Sequence, residues 1–144
     1  MGLTGGTIYL DTNVFIDLVE RRNDTLRRFV QRVAADKGQL FTSELTLAEA
    51  LAKPVELEDA ALVAIYEQTI VSGPLLRVVP VDRTILRRSA TMRAKLKNKL
   101  ADAIHIATAV ETGCSHLLSE DRRLQLPETV VRLRALDLDG AEDR

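Results

Sequence analysis

Residues 7–19 read TIYLDTNVFIDLV, and this stretch sets the organisation of the chain. Its first four residues are apolar, include β-branched side chains and follow a Gly5-Gly6 break, which predicts a β-strand. Residues 11–13 are Asp, Thr and Asn, residue types that cap helix N-termini, and apolar residues at helical spacing follow them. The stretch therefore predicts a strand that leads directly into a helix, with an acidic residue at the junction.

The same alternation of short apolar strands and amphipathic helices continues along the chain. Further helices are expected over 25–35, 44–52, 58–70, 82–92 and 100–110, and further strands over 40–42, 75–79, 115–118 and 129–133. Pro54 is expected to end the helix that begins at residue 44. Because such alternation is typical of a parallel sheet covered by helices, we expect an α/β fold, a three-layer α/β/α domain whose central parallel sheet has about five short strands.

Length and composition fit one globular domain. The 144 residues are 46% hydrophobic and 28% charged, which excludes wholesale disorder. The sequence has no apolar run long enough to cross a bilayer and no signal pattern at its start, and its single cysteine, Cys114, cannot form an internal disulfide. We expect residues 1–144 to form a single cytoplasmic domain without membrane association, with residues 137–144 as a frayed polar tail.

Charge is segregated along a chain whose formal net charge is -1. Between Asp82 and Lys99, seven Lys or Arg stand against one acid, whereas between Glu44 and Glu67 six acids stand against one lysine. The low net charge argues against nucleic-acid binding by bulk electrostatics. The segregation is nevertheless mild evidence for a polyanion on one side of the molecule.

Four acids fall where predicted strands end or the next helices begin. Asp11 follows the first strand, Glu49 lies just over a turn into the helix after the second, Asp102 lies near the start of an apolar helix, and Asp121 lies three residues past the fourth strand. Ligands of such sheets gather outside the carboxyl ends of the strands. Each acid alone has a plainer explanation, such as a helix cap, but a buried unpaired carboxylate at Asp102 is costly. Oxygen-only ligands suit Mg²⁺ or Mn²⁺ and indicate metal-dependent hydrolysis of phosphate esters.

These segments resemble the motifs of PIN-domain nucleases. Residues 10–17 (LDTNVFID) are similar to the family's first motif, residues 42–50 (TSELTLAEA) to its second, residues 100–109 (LADAIHIATA) to its third and most specific, and residues 117–122 (LLSEDR) to its fourth. Motif order, spacing and total length fit over essentially the whole chain. Among PIN proteins, the compact form is most similar to VapC-type toxins of bacterial and archaeal toxin–antitoxin pairs.

The resemblance implies a Mg²⁺- or Mn²⁺-dependent endoribonuclease that forms a homodimer and is held inactive by a cognate antitoxin protein. It implies that the residues that hold the metal and position the attacking water are Asp11, Glu49, Asp102 and Asp121. The residues that it implies as supports of these ligands or of the water are Thr12, Asn13 and Ser119. We interpret His105, which could contact Asp102, as a satisfied, partly buried histidine. The basic candidates for contacts to RNA phosphates are Arg21, Arg22, Arg83, Arg87, Lys97, Lys99, Arg122 and Arg123.

The sequence lacks residues that two other function classes require. A haloacid-dehalogenase-type phosphatase requires a second Asp two residues after the first, where this chain has Asn13. A phospho-accepting receiver domain requires an acceptor Asp after the third strand, where this chain has Pro80. Two alternatives stay open: a PIN-fold module that binds RNA or a protein without turnover, and a PIN nuclease of RNA processing unrelated to toxin–antitoxin pairs.

Overall fold

The central layer of the fold is an all-parallel sheet. A computed structural model describes residues 2–141, with side chains described as far as residue 138. The strands are β1 (Thr7–Leu10), β2 (Gln39–Ser43), β3 (Leu76–Val79), β4 (His116–Leu118) and β5 (Val131–Leu133). Their order in the sheet is β3-β2-β1-β4-β5, and each neighbouring pair is parallel. The expected parallel sheet of five short strands is confirmed.

Seven α-helices connect and cover these strands within residues 2–141. They are α1 (Thr12–Val19), α2 (Asp24–Ala35), α3 (Glu44–Glu56), α4 (Ala60–Thr69), α5 (Arg83–Leu96), α6 (Leu100–Glu111) and α7 (Ala135–Ala141). Five of them begin at a side-chain cap that accepts a backbone N–H of the first turn, from Asp11, Asn23, Ser43, Asp59 and Asp82. Three of these caps, Asp11, Ser43 and Asp82, fix helix starts close after strand ends. In the described part of the chain, no helix has the length and apolar character needed to span a membrane.

Strand β1 separates two hydrophobic clusters, because successive side chains of a strand point to opposite faces of the sheet. Ile8 and Leu10 pack with residues of α1–α4 and α7, whereas Tyr9 packs with residues of α5 and α6. The fold is therefore the three-layer α/β/α arrangement that the sequence predicts. The acidic α3–α4 pair and the basic α5 consequently lie on opposite faces of the sheet.

Several predicted boundaries differ from the structure by a few residues, and two of the differences have a clear physical reason. Helix α3 continues through Pro54 to Glu56, because the proline lies in the last turn and removes one hydrogen bond while the N–H of Leu57 still bonds the oxygen of Lys53 at 3.0 Å. The predicted frayed tail begins too early, because residues 137–141 belong to α7 and Leu138 is buried in the cluster on that face. Residues 142–144 of that tail lie outside the described residues.

Gly38, between α2 and β2, has no room for a side chain. A Cβ at this position would overlap the backbone oxygen of Thr4 and lie 3.1 Å from that of Gly6. Since both neighbours are main-chain atoms, the backbone has to move, and we expect Gly38→Ala to lower the free energy of unfolding by about 1–3 kcal/mol in urea denaturation. The matched control is Gly73→Ala, whose Cβ meets nothing within 4 Å and should change stability by less than about 0.5 kcal/mol. Equal losses in the two variants would contradict this account of Gly38.

Cys114 is 4% exposed, and its burial raises the pKa of its thiol to about 11. Only the thiolate reacts with alkylating reagents. With the pKa raised from 9.0, the thiolate fraction at pH 8 falls about 100-fold, and the labelling rate should rise about tenfold for each pH unit below the raised pKa. We expect iodoacetamide, followed by mass spectrometry, to label the native chain far more slowly than the same chain in guanidinium. Similar rates in both conditions would show that the thiol is accessible and unperturbed.

Candidate active site

The predicted acids lie at the carboxyl end of the sheet, around the neighbouring strands β1 and β4. From β1 the chain builds β2 and β3 on one side and then crosses back to place β4 on the other side. The connections that follow β1 and β4 therefore leave in opposite directions, which opens a crevice of the kind in which α/β sheets bind ligands. The N–H of Asp11 donates to the carbonyl oxygen of Leu118 at 3.2 Å and ties the two strand ends together.

Ser119 links the acid after β1 to the loop after β4. The Oδ1 of Asp11 accepts the backbone N–H of Thr12 at 2.8 Å, and its Oδ2 accepts the hydroxyl of the buried Ser119 at 2.8 Å. The same hydroxyl oxygen accepts the backbone N–H of Asp121 at 3.1 Å. Asp121 in turn accepts the backbone N–H of Arg123 at 3.0 Å, and this bond, aided by the guanidinium of Arg123, holds the pKa of the Asp121 carboxyl below its usual range.

Glu49 reaches the same end of the sheet from α3. Its Oε1 accepts the hydroxyl of Thr12 at 2.6 Å and lies 2.6 Å from Nε2 of His105. Burial raises the pKa of Glu49, but the hydrogen bonds from His105 and Thr12 outweigh burial and bring that pKa below its ordinary value. Among the described residues, all hydrogen bonds to this carboxylate are on Oε1, so Oε2 has none.

Asp102, in the first turn of α6, is the acid with the fewest compensating contacts. It is half-buried, and within residues 2–141 its carboxylate makes no hydrogen bond or ion pair. Burial raises its pKa, and the negative charges of Asp11, Asp121 and Glu49 raise it further, against a partial offset from His105. These mutual charge effects mean that the four predicted acids share one electrostatic environment, which a bound cation would relieve.

The donor set suits a hard cation, although the side chains are not drawn together around one. In the described part of the chain, no three His, Cys, Asp or Glu side chains are placed so that they could hold a metal ion. Glu49 is turned to His105 and Thr12, and Asp121 is turned to Arg123. Four carboxylates with no thiolate among them match the oxygen ligands that Mg²⁺ and Mn²⁺ prefer, so the chemistry of the site fits such an ion.

The sequence interpretation of His105 was incomplete. The residue is buried and satisfied, as expected, but its partner is Glu49 at Nε2 and not Asp102. Its Nδ1 lies 2.6 Å from the hydroxyl of Tyr9, a residue that the sequence analysis did not assign to the site. Burial, together with the charge of Asp11, raises the pKa of Tyr9 well above its usual range. The sequence signal that could have identified both residues is their spacing from the acids. Tyr9 precedes Asp11 by two residues and His105 follows Asp102 by about one helical turn, and such spacings place side chains on the same face of a strand or helix.

Apart from Arg123, which contacts Asp121, the remaining candidates lie away from these contacts. Asn13 is exposed and lines a small groove with Asp17 and Ser119, but its side chain makes no hydrogen bond within the described residues. Asp17 instead accepts a hydrogen bond from Arg21 at 2.6 Å. The basic candidates for phosphate contacts are all exposed: Arg21, Arg22, Arg83, Arg87, Lys97, Lys99, Arg122 and Arg123.

Solved VapBC and VapC structures share this fold. The VapBC2 structure from Rickettsia felis, bound to a DNA fragment from its promoter, has a TM-score of 0.72 at 12% identity and covers 89% of this chain and 98% of its own. DNA-bound VapBC from Salmonella typhimurium has a TM-score of 0.72 at 18% identity, with coverages of 90% and 98%. The sarcin-ricin loop cleaving toxin VapC20 of Mycobacterium tuberculosis has a TM-score of 0.62 at 17% identity, with coverages of 80% and 90%.

At these identities the likenesses show the fold. No curated protein matches the sequence. The family described as the PIN domain matches residues 8–128, which hold β1 from its second residue, β2 to β4 and all four candidate acids. The chain therefore belongs to the PIN domain family.

Proposed function

We propose that this chain is a metal-dependent endoribonuclease that hydrolyses RNA phosphodiester bonds, and that it is the toxin of a VapBC-type toxin–antitoxin pair. The observation that carries the proposal is Asp102, a half-buried carboxylate that makes no hydrogen bond to any described residue and whose pKa is raised by burial and by three neighbouring acids. Carboxylates crowded in this way destabilise the folded state by mutual repulsion, unless a cation or a developing positive charge offsets their negative charge. Its position at the crevice between β1 and β4 supports a role in binding and catalysis.

The proposed metal ligands are Asp11, Glu49, Asp102 and Asp121. When bound there, Mg²⁺ or Mn²⁺ would supply the positive charge that activates a water for attack on phosphorus and stabilises the leaving oxygen. The protein supplies the orientation of the ligands. Ser119 holds one oxygen of Asp11 and the backbone of Asp121, and Thr12 holds one oxygen of Glu49.

We propose that RNA phosphates lie along α5 and the segment that leads from it to Asp102. A groove of about 380 Å³ beside α5 is lined by Thr84, Arg87, Arg88, Thr91 and Glu111. Arg88 is paired with Glu111, whereas Arg87 and Lys95 are exposed on the same helix. A polyanion bound here would run toward the acidic cluster, because α5 ends a few residues before the first turn of α6.

The proposed protein partner is a cognate antitoxin. Two of the solved structures that share the fold are VapBC complexes, and this likeness in fold supports a partner of that kind. The homodimer, the cytoplasmic location and the single-domain organisation of residues 1–144 stay predictions. A PIN nuclease of RNA processing would carry the same chemistry, and an antitoxin reading frame beside the gene would separate the two possibilities.

We expect Asp102→Asn to abolish cleavage without unfolding the chain. Purified wild type should cut total RNA into discrete fragments with Mg²⁺ or Mn²⁺, EDTA should stop it, and the variant should lose at least about 100-fold in rate, because a direct ligand contributes more than an outer contact. Since a raised pKa marks an ionised group that destabilises the folded state, the variant's melting temperature in EDTA at pH 7 should not fall below that of wild type.

The matched control for this variant is Glu67→Gln, which neutralises an exposed acid of α4 on the opposite face of the sheet and should keep cleavage. An active Asp102→Asn variant would remove the metal-site assignment. Wild type that binds RNA but never cuts it, with either metal present, would instead favour the binding module.

We expect the double variant Arg87→Gln/Lys95→Gln to weaken RNA binding and reduce its salt dependence. Each lost phosphate contact lowers the slope of log K against log[salt] by about 0.7 for single strands, so the slope should fall by about 1.4. Binding is measured by fluorescence anisotropy in the Asp102→Asn background, so that the RNA stays intact. The control is Arg27→Gln/Lys53→Gln, which removes one arginine and one lysine, both exposed, from α2 and α3 on the opposite face of the sheet. Equal slopes for both double variants would contradict an RNA path along α5.

A further inference from the structure

Three buried or half-buried side chains from different elements form a continuous hydrogen-bonded row. Tyr9 of β1 is 0% exposed and its hydroxyl lies 2.6 Å from Nδ1 of His105. His105 of α6 is 3% exposed and its Nε2 lies 2.6 Å from Oε1 of Glu49. The two rings also meet edge to face, with centroids 5.8 Å apart. The imidazole is therefore fixed at both nitrogens and at its edge.

The chemistry of the partners sets the direction of these hydrogen bonds. An ionised carboxylate can only accept, so Nε2 of His105 is the donor to Glu49. In the neutral imidazole Nδ1 is then an acceptor, and the hydroxyl of Tyr9 donates to it. The hydroxyl of Thr12 donates to the same Oε1 of Glu49, at 2.6 Å. Both donors thus occupy one carboxylate oxygen, which leaves Oε2 for another ligand.

We propose that His105, oriented by Tyr9, is a positioning residue for Glu49: it anchors Oε1 so that Oε2 is held for the divalent cation. This inference rests on the proposed function, because it takes the cation site as given. It adds two residues from outside the acidic set, and it assigns them an effect on cation affinity. Outer hydrogen bonds of this type contribute about 10- to 100-fold to metal affinity in proteins.

A second buried tyrosine, Tyr66, provides a control for a purely structural role of the row. Tyr66 is also 0% exposed and its hydroxyl also donates to a glutamate, Glu20, but it packs in the cluster on the other face of the sheet. Removing either tyrosine hydroxyl deletes one buried hydrogen bond and should lower stability to a similar extent. A loss of cation affinity should follow only from the change in the row that ends at Glu49.

The test titrates Mn²⁺ alone into the full chain and follows free Mn²⁺ by electron paramagnetic resonance. We expect His105→Leu to raise the Kd for Mn²⁺ by about 10- to 100-fold, and Tyr9→Phe to raise it by a smaller factor. His105→Gln, whose amide can still donate to Glu49, should recover part of the loss. Tyr66→Phe should bind Mn²⁺ as wild type does. Imidazole ¹⁵N spectra of wild type without metal should show a proton on Nε2 of His105.

The outcomes separate this inference from the proposed function. Wild type that binds no Mn²⁺ overturns the cation site and the inference with it. Wild type that binds Mn²⁺, with Kd unchanged in Tyr9→Phe and His105→Leu, overturns the positioning role alone and leaves the nuclease proposal intact. A neutral imidazole that lacks the proton on Nε2 also overturns that role. If His105→Leu does not fold, Tyr9→Phe and the ¹⁵N spectra still decide the question.

Discussion

Strand β1 imposes the constraint on which the other layers depend. It has a parallel partner on each edge and a hydrophobic cluster on each face, so none of its four residues can change orientation independently. The alternation of its side chains sends Leu10 toward one helical layer and Tyr9 toward the other. The end of this fixed strand delivers Asp11 into the crevice beside β4. This four-residue strand thereby sets the positions of the Asp11 carboxylate and of the buried Tyr9 hydroxyl.

The acidic cluster works against the stability that β1 provides. Asp11 and Glu49 are compensated by hydrogen bonds from Thr12, Ser119 and His105, whereas Asp102 is left to repel its neighbours. Natural proteins retain such costs where function needs them, since a site optimised for folding would replace the repelling group. The hydrogen bonds fix the positions of Asp11 and Glu49, and the repulsion between the carboxylates favours the binding of a positive charge. The same crowding thus opposes folding and favours a cation.

Much of this arrangement could be predicted from sequence because it depends on local order along the chain. Apolar periodicity located the strands and helices, and the spacing of Asp11 and Asp121 from strand ends placed both acids at one edge of the sheet. The partner of His105 could not be predicted, because it depends on the rotation of α6 relative to α3, which no local pattern encodes. The start of the frayed tail was predicted wrongly for a similar reason. Leu138 looks isolated in a polar sequence, and only tertiary packing shows that it is buried.

The separation of charge across the sheet affects how the molecule orients while it diffuses toward a charged partner. With acidic α3–α4 on one face and basic α5 on the other, a nearly neutral molecule carries an electric dipole that crosses its layers. In the field of a polyanion this dipole experiences a torque, which turns the α5 face inward during diffusion. The effect is lost once the distance exceeds the screening length, about 8 Å in physiological salt. Within that distance, the charge pattern therefore provides rotational alignment rather than net attraction.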